Sequence, residues 1–249
     1  MHHRLKQLSK FVRLIGNPVF RRGLMNGVGA SIEHASVLRG LDLRTVIDVG
    51  ANVGQFSLLA VEMFPGVRIE AFEPLAGPAA IFRKVLDGNA RVELNQVAIG
   101  AQAQDVVMNV SRRNDSSSLL PITDRQTRIF PGTESVGTEP VSVVTLDSAV
   151  AVESITSPAL LKIDVQGFEL EVLKGATQVL RSCDYVYVEV SFVELYERQA
   201  LAPEVIACLA GEGFEIVGAY NAEYDSSGLR VQCDMLFRSR SSRAATTDS

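Results

Sequence analysis

Short apolar runs alternate with amphipathic stretches from residue 45 onward, and this alternation constrains the fold more than any other feature of the sequence. Nearly continuous apolar runs that end at glycine are typical of parallel strands covered on both faces. Stretches with apolar residues three and four positions apart are typical of the helices that cover such a sheet. The pattern predicts an α/β fold with a doubly wound, mostly parallel sheet whose ligands bind at the carboxyl ends of the strands.

The predicted elements can be placed on the chain. We expect strands over residues 45–49, 67–72, 92–99, 160–165 and 185–190, and helices over residues 54–64, 79–86, 168–181 and 202–212. The rhythm breaks over residues 101–150, where apolar runs at 106–110 and 141–146 flank a polar stretch and predict a β insertion that reaches over the site. Apolar runs at 214–220 and 231–237 around a polar turn predict a C-terminal antiparallel hairpin.

The charge is unevenly distributed. Residues 1–32 hold six Lys or Arg and no Asp or Glu, whereas the whole chain has a net charge of −5. Apolar residues recur among them at helical spacing, at Leu5, Leu8, Phe11, Val12 and Ile15. We expect a basic helical segment at 1–40, one α/β domain at 41–238 and a disordered polar tail at 239–249. The basic helix has two interpretations: a peripheral helix with a solvated basic face, which is favoured, or a surface that contacts an anionic membrane or a glycolipid substrate.

Composition narrows the class of protein further. The three cysteines, Cys183, Cys208 and Cys233, are widely spaced, so we expect reduced thiols rather than a disulfide framework or a metal-ligand pair. No apolar run reaches the roughly 18 residues that span a bilayer, and the N-terminus lacks a signal-peptide pattern, so we expect a cytoplasmic protein. The net charge of −5 argues against a nucleic-acid partner. A homodimer is our working expectation.

The first turn after a predicted strand carries the first chemical signal. Asp48, Gly50, Asn52 and Gly54 form the pattern D-x-G-x-N-x-G, which is not the dinucleotide fingerprint G-x-G-x-x-G. Gly50 allows a sharp turn, and Gly54 allows a ligand or a helix to come close. An acid at position 48 would repel a phosphate but accept hydrogen bonds from an ammonium or attract a sulfonium. An ordinary tight turn with a solvated Asp48 is the alternative.

A second acid closes the next predicted strand. Glu73 follows the first turn by about 20 residues, where folds of this class hold the two ribose hydroxyls of a nucleotide. A carboxylate at this position can accept a hydrogen bond from each hydroxyl. The alternative is an acid at a helix N-terminus, favoured by the helix dipole and by Pro74. The spacing favours the ribose role.

Several segments together resemble the FkbM-type methyltransferase family. They are VIDVGANVGQF at 46–56, AFEP at 71–74, NQVAIG at 95–100, DSSSLLPIT at 115–123, TLD at 145–147, LLKIDVQGFELEVLKG at 160–175, SFVELY at 191–196 and QCDMLF at 232–237. The resemblance covers roughly residues 30–238. It implies a class I methyltransferase (Rossmann-like) fold that uses S-adenosylmethionine to methylate a hydroxyl, often of a sugar.

The resemblance also implies roles for individual residues. Asp48, Gly50, Asn52 and Gly54 would hold the methionine portion of the cofactor, Glu73 the ribose, and Ala98 the adenine edge. The same segments complete the predicted cofactor set with Ala51, Phe56, Pro74 and Asp164. Gln166 departs from the family pattern, which commonly has Glu at this position.

Methyl transfer to a hydroxyl needs a base close to the sulfonium. Asp164 ends a predicted strand next to the cofactor edge, and Lys162 lies two residues earlier on the same strand face, so we expect the two to pair and keep Asp164 ionised. A buried ion pair that only stabilises the sheet is the alternative. Glu189 and Glu169 are the next candidates. If the base is a histidine, it is His34, although a lone helix histidine is more often structural.

Acceptor recognition is expected from the insertion and the final hairpin. The candidate groups are hydroxyls and carboxylates suited to a sugar ring, at Asp115, Ser116, Ser117, Ser118, Tyr220 and Tyr224. Asp164, Glu189 and Asp234 would suit magnesium only if they converged, so we assign no metal.

Three functions are carried forward from the sequence. The preferred one is a sugar or natural-product hydroxyl O-methyltransferase acting on a glycolipid, a polysaccharide or a glycosylated natural product. The second is a nicotinamide-dependent oxidoreductase, disfavoured because G-x-G-x-x-G is missing. The third is a catalytically silent nucleotide-binding module, disfavoured by the intact Asp48, Gly50 and Glu73 set.

Overall fold

The computed structural model describes residues 18–86 and 88–242 of the chain. The basic helix expected from Leu5 to Ile15 lies outside the described residues. The description begins with helix α1 (Pro18–Met25), a 3-10 turn (Ile32–His34) and α2 (Ala35–Leu38). Nowhere in the described ranges is there a helix with both the length and the apolar character needed to cross a bilayer.

A seven-stranded sheet forms the centre of the domain. Its strand order is β3-β2-β1-β7-β8-β10-β9. The strands are β1 (Thr45–Val49), β2 (Arg68–Phe72), β3 (Val92–Asn95), β7 (Ala159–Ile163), β8 (Tyr185–Ser191), β9 (Phe214–Tyr224) and β10 (Arg230–Ser239). The first five pair in parallel, and β10 pairs antiparallel with both β8 and β9. The predicted doubly wound sheet with a C-terminal antiparallel hairpin is confirmed.

Helices cover the sheet as its strand pattern requires. They are α3 (Gln55–Met63), α4 (Ala76–Leu86), α7 (Glu169–Lys174), α8 (Thr177–Arg181) and α9 (Ala202–Gly211). Every residue of β1 and of β7 is buried, because apolar clusters lie on both sides of these strands. Ile47 belongs to one cluster and Val46 to the other, as the alternation of strand side chains requires.

The insertion forms a separate three-stranded sheet, with the order β4-β6-β5. It consists of β4 (Ala98–Ile99), β5 (Gln104–Ser111), β6 (Ser135–Val144) and the short helices α5 (Asp124–Ile129) and α6 (Leu146–Ala149). The single strand expected over residues 92–99 is therefore wrong. Gln96 and Val97 separate β3 in the large sheet from β4, which pairs with β6.

The single helix expected over residues 168–181 is also wrong, because the chain forms α7 and α8 with a break at Gly175-Ala176. Asp147 explains the break: its carboxylate accepts hydrogen bonds from the backbone amides of Gln178 and Val179, which gives α8 its own N-terminal cap.

The expected disordered tail at 239–249 begins within the described residues. Ser239 is the last residue of β10, and the Ser242 hydroxyl donates a 2.7 Å hydrogen bond to Asp184. Residues 243–249 lie outside the described ranges.

Candidate active site

The turn after β1 brings two strand ends together. Gly50 has a φ of +78°, and a Cβ at this position would lie 1.8 Å from the backbone oxygen of Asp164. Gly54 has a φ of +93°, and its Cβ would meet the Phe82 ring at 3.0 Å. Gly50 therefore allows close approach of the backbone after β7, whereas Gly54 allows α3 to approach α4 rather than a ligand.

Asp48 lies beneath this turn rather than in the site. Its side chain is fully buried, 3.0 Å from Lys162 Nζ, and accepts a 2.7 Å hydrogen bond from the Ser57 hydroxyl. Lys162 Nζ also donates to the Gly50 carbonyl oxygen at 2.8 Å. Burial alone would lower the pKa of Lys162, but the carboxylates of Asp48 and Asp164 raise it. We therefore assign Asp48 to holding the turn, in place of the direct cofactor contact expected from the sequence.

Glu73 faces a cavity at the carboxyl ends of β1, β2 and β7, which we call the first cavity. One carboxylate oxygen accepts from the Asn52 amide at 3.0 Å and the other from the Leu75 amide at 2.8 Å. Burial raises the pKa of Glu73 to about 7. Asn52 has a left-handed backbone with a φ of +49°, and its buried Oδ1 has no hydrogen-bond partner among the described residues.

The first cavity encloses about 1090 Å³, including its open mouth. Eight residues of the predicted cofactor set lie on its walls: Gly50, Ala51, Asn52, Phe56, Glu73, Pro74, Ala98 and Asp164. Asp48 and Gly54 are not on the walls, for the reasons given above. Phe72, Val97 and Ile99 add apolar surface beside Ala98.

A second cavity of about 820 Å³, open to solvent, adjoins the first. Its walls come from the insertion and from the ends of β7, β8 and the final hairpin: Arg113, Asp115, Ser116, Gln126, Phe130, Asp164, Gln166, Glu189, Glu223 and Gln232. Asp115, Asp164 and Gln166 line both cavities. These three residues therefore mark the junction between them.

Gln166 connects the carboxylates at this junction. Its backbone is left-handed, with a φ of +56°, and its Nε2 donates to Asp164 Oδ1 at 2.8 Å and to Glu189 Oε2 at 3.1 Å. The Tyr196 hydroxyl donates to Gln166 Oε1 at 2.7 Å. Two amide hydrogens thus satisfy two neighbouring acids, which a glutamate at this position could not do, because a carboxylate has no donor hydrogen and a protonated carboxyl has only one.

Asp164 and Glu189 differ in their surroundings. The Asp164 side chain is 41% exposed, and the expected pairing with Lys162 is loose at 4.0 Å, because Lys162 pairs with Asp48. Partial burial raises the pKa of Asp164, against the opposing effect of Lys162. Glu189 lies on the second cavity only and accepts hydrogen bonds from Gln166 and Gln232. Burial, and then the charge of Asp164, raise its pKa well above the ordinary value.

His34 lies on the first cavity with a network behind it. Its Nδ1 is 2.9 Å from the Tyr187 hydroxyl and 3.4 Å from Asp234 Oδ2. The Tyr187 hydroxyl donates to Asp234 at 2.9 Å, and Asn221 Nδ2 donates to the same oxygen at 2.8 Å. The imidazole packs edge-on against the rings of Phe56 and Tyr187.

Sequence reasoning missed Tyr187 and Asn221 as members of this network. They lie on β8 and β9, next to β10, which carries Asp234. β8 pairs with β10 and not with β9, the next strand along the chain, so no local motif places Tyr187 beside Asp234.

Residues 48–216 match a family model described as the methyltransferase FkbM domain. The chain belongs to the FkbM methyltransferase family. The nicotinamide-dependent oxidoreductase considered from the sequence is therefore wrong, and the domain has the class I methyltransferase fold.

Curated relatives are similar over most of this FkbM methyltransferase. The 31-O-demethyl-FK506 methyltransferase FkbM of Streptomyces tacrolimicus is 29% identical over 75% of this chain and 77% of its own length. The 2-O-methyltransferase NoeI of Sinorhizobium fredii is 26% identical over 81% of this chain and 85% of its own. Among solved structures, magnesium protoporphyrin IX methyltransferase from Synechocystis with bound SAM is 10% identical, with a TM-score of 0.45 over 94% of this chain and 91% of its own.

The expected acceptor residues of this FkbM methyltransferase separate into two groups. Asp115 lies on both cavities, Ser116 on the second and Ser117 on the first. The Ser118 hydroxyl donates to the Gln166 carbonyl at 2.7 Å and accepts from the Leu120 amide, so it holds the loop in place.

The two expected tyrosines lie elsewhere. Tyr220 packs at the edge of an apolar cluster, and Tyr224 is 53% exposed and accepts a hydrogen bond from Arg230. Neither lines either of the two cavities, because irregular register between β9 and β10 changes which hairpin side chains face the site. Glu223 and Gln232 reach the second cavity instead.

No group of three or more His, Cys, Asp or Glu side chains within residues 18–86 and 88–242 is arranged to hold a metal ion. Asp234 joins the His34 network, whereas Glu189 is bound by Gln166 and Gln232. The magnesium set considered from the sequence, with Asp164 as its third member, is therefore not formed.

Proposed function

We propose that this FkbM methyltransferase transfers the methyl group of S-adenosylmethionine to a hydroxyl oxygen of a sugar, in a glycolipid, a polysaccharide or a glycosylated natural product. The observation that carries the proposal is the junction at Asp164 and Gln166. A cavity suited to a nucleoside lies on one side of this junction, and a cavity with polar walls lies on the other. Two ligands in adjoining cavities are what group transfer requires.

The first cavity fits S-adenosylmethionine by three observations. Each Glu73 oxygen already accepts one backbone amide and retains a lone pair for a ribose hydroxyl. Asn52 Oδ1 is buried and without a partner, so it can accept a hydrogen bond from a bound ligand. Apolar side chains near Ala98 suit a purine. Glu73, Asn52 and Ala98 would therefore hold the cofactor.

When bound, S-adenosylmethionine supplies an electrophilic methyl group on a sulfonium. We assign Asp164 the task of accepting the proton from the acceptor hydroxyl, because its half-exposed carboxylate lies at the junction. A pKa raised by partial burial makes this carboxylate a stronger base. Gln166 orients the Asp164 carboxylate through its hydrogen bond to Oδ1. Oδ2 does not take part in this hydrogen bond.

His34 is the second candidate base. Its Nδ1 is engaged by Tyr187 and Asp234, an arrangement that would fix the ring and leave Nε2 as the acceptor toward the cavity. It lies on the first cavity and not on the second. We therefore rank Asp164 first.

The names of relatives support the acceptor class. The 2-O-methyltransferase NoeI and the hexuronic acid methyltransferase AglP of Haloferax volcanii, the latter 44% identical over 62 residues, bear names that refer to oxygen or sugar-acid methylation. The polar walls of the second cavity agree with a hydroxylated acceptor.

The test is transfer of labelled methyl from S-adenosylmethionine to a panel of glycans and glycosylated products. We expect Asp164→Asn to lower kcat by about 10²- to 10⁴-fold while S-adenosylhomocysteine binding persists. Asp42→Asn, an exposed control whose side chain is 84% accessible, should leave kcat unchanged. A large loss in His34→Gln, with Asp164→Asn active, would transfer the base role to His34. Cofactor binding without transfer to any acceptor would favour the silent module.

Three further proposals rest on the sequence alone: a cytoplasmic location, a homodimer and peripheral membrane contact through the basic N-terminal segment. Co-sedimentation of the full chain and of a chain lacking residues 1–20 with anionic vesicles tests the membrane contact. Equal binding of both would contradict it. Light scattering tests the homodimer.

A further inference from the structure

The second cavity contains an unsatisfied buried acceptor. Gln126 is only 3% exposed, and its Nε2 donates to the Tyr196 hydroxyl at 3.2 Å. Its Oε1 is buried with no hydrogen-bond partner among the described residues, although the side chain lies on the cavity wall. Leaving a buried amide oxygen unpaired is unfavourable, so a ligand hydroxyl or ammonium that donates to it would be stabilised there.

Other polar groups line the same cavity. Gln166 and Gln232 both direct Nε2 at Glu189, at 3.1 and 2.8 Å, so their amide orientations are fixed. Glu223 is the register partner of Gln232 on the neighbouring strand, and its carboxylate is exposed to the cavity. Phe130 supplies an aromatic wall. A ring that carries several hydroxyls matches this mixture of acceptors around one apolar face.

The charge of the second cavity is unbalanced. Four carboxyl side chains line it, from Asp115, Asp164, Glu189 and Glu223. Among the described lining residues, the one cation is Arg113, which is bound to Asp115 through two hydrogen bonds of 3.2 and 2.9 Å. Because Arg113 is neutralised by its own partner, an anionic ligand would meet repulsion that no free cation on the wall offsets.

Glu189 accepts hydrogen bonds from the side-chain amides of Gln166 and Gln232. It contributes less than a full negative charge to the cavity. Burial raises its pKa well above the ordinary value, so its carboxyl tends toward the neutral form. Asp115 is compensated by Arg113, which leaves Glu223 as the exposed acid on the hairpin side of the cavity. Glu223 therefore contributes negative potential on the exposed side of the cavity.

We propose that the second cavity is the acceptor subsite and selects by charge: it takes a neutral or amino sugar and rejects a sugar that carries a carboxylate, sulfate or phosphate. The proposal rests on the proposed function and adds the class of sugar. Gln126 Oε1 accepts from a ring hydroxyl or ammonium, and Glu223 repels an anionic substituent. The hexuronic acid in the name of one relative is thus a substrate class that this chain excludes.

The experiment uses the full chain saturated with S-adenosylhomocysteine. Saturation-transfer NMR measures binding of three matched pairs of methyl glycosides: glucose and glucuronate, galactose and galacturonate, and glucosamine and glucosamine 6-phosphate. The variants are Gln126→Met, which keeps the side-chain size, and Glu223→Lys. Glu153→Lys is the matched control, because Glu153 is an exposed acid that precedes β7. It therefore lies toward the amino end of this strand, whereas the cavities lie at the carboxyl ends.

We expect the neutral or amino member of at least one pair to bind about tenfold or more tightly than its anionic partner. Gln126→Met should lower the affinity for the neutral sugar by about tenfold. In Glu223→Lys the affinity for the anionic sugar should come within about threefold of the affinity for its neutral partner. Glu153→Lys should change neither affinity.

Three results would overturn the inference: anionic sugars that bind as well as neutral ones, neutral binding unaffected by Gln126→Met together with unaltered discrimination in Glu223→Lys, or no sugar binding at all while S-adenosylhomocysteine binds. If S-adenosylhomocysteine itself fails to bind, the failure belongs to the proposed function. The two failures are thereby separated.

Discussion

Lys162 Nζ lies 3.0 Å from Asp48 Oδ1 and 4.0 Å from Asp164 Oδ2. Lys162 and Asp48 are direct register partners across β7 and β1, and both side chains are buried. The lysine therefore neutralises the acid beneath the glycine turn and leaves Asp164 half-exposed in the cavity. One ion pair thus separates a structural carboxylate from a candidate catalytic one.

Breaking that pair should destabilise the protein. In Lys162→Met the Asp48 carboxylate would remain buried without its cation, so we expect a loss of about 3–5 kcal/mol in the free energy of unfolding. Urea denaturation monitored by circular dichroism measures the loss. The double variant Asp48→Asn with Lys162→Met should recover a large part of it, because no buried charge remains.

The control is Lys174→Met. Lys174 pairs with Glu171 at 2.6 Å, but both side chains are exposed, so we expect a change under about 1 kcal/mol. Equal losses in Lys162→Met and Lys174→Met would contradict the buried role of the Asp48 pair.

The close approach at Gly50 gives a second prediction. Gly50→Ala would place a Cβ 1.8 Å from the backbone oxygen of Asp164, so we expect a loss above about 4 kcal/mol or failure to fold. Gly66 has a similar left-handed φ of +95° but open space around it, so Gly66→Ala should cost only about 1–2 kcal/mol. Denaturation curves of the two variants check the difference, and similar losses would argue against the steric account.

Much of the fold follows from the sequence. Runs such as the one from Thr45 to Val49 are mostly apolar, as expected for a strand covered on both faces, and the glycines after it mark the turn where the first cavity opens. The Glu73 position follows from the same regular geometry. These features depend on local pattern and fixed spacing, which one sequence displays.

The remaining features depend on register between distant segments. Lys162 has two acids within reach, Asp164 two residues away along β7 and Asp48 across the strand pair, and only the parallel register shows that it pairs with Asp48. The bulged pairing of β9 and β10 likewise places Glu223 on the second cavity in place of Tyr224. Side-chain direction after a bulge has no signature in composition or periodicity.

Glu169 should make stability depend on pH. It is 4% exposed, accepts the backbone amides of Val165 and Gly167, and has a pKa raised by burial from 4.5 to about 7. The folded state therefore holds this proton more tightly than the unfolded state does. Its contribution to stability is fully present below about pH 4.5 and is lost as the pH rises through 7.

The measurement compares wild-type protein with Glu169→Gln by urea denaturation at both ends of this pH range. Relative to the wild type, Glu169→Gln should gain roughly 3 kcal/mol in free energy of unfolding as the pH rises from about 4.5 to 8. Glu93→Gln, at an exposed position of β3, should show no such change. A difference that is constant with pH would contradict the raised pKa of Glu169.

Glu73 should control cofactor affinity. Glu73→Gln replaces a side chain with two acceptor oxygens by an amide with one, so we expect S-adenosylhomocysteine to bind about 10- to 100-fold more weakly. The exposed control Glu93→Gln should bind normally. Equal affinity in both variants would remove Glu73 from the cofactor site.

The most direct test of the whole account is isothermal titration of the purified full chain with S-adenosylmethionine, S-adenosylhomocysteine and NADH. We predict saturable binding of the first two at one site per chain, lost or strongly weakened in Glu73→Gln, and no binding of NADH. Binding of NADH alone, or S-adenosylmethionine binding that is indifferent to Glu73, would contradict it.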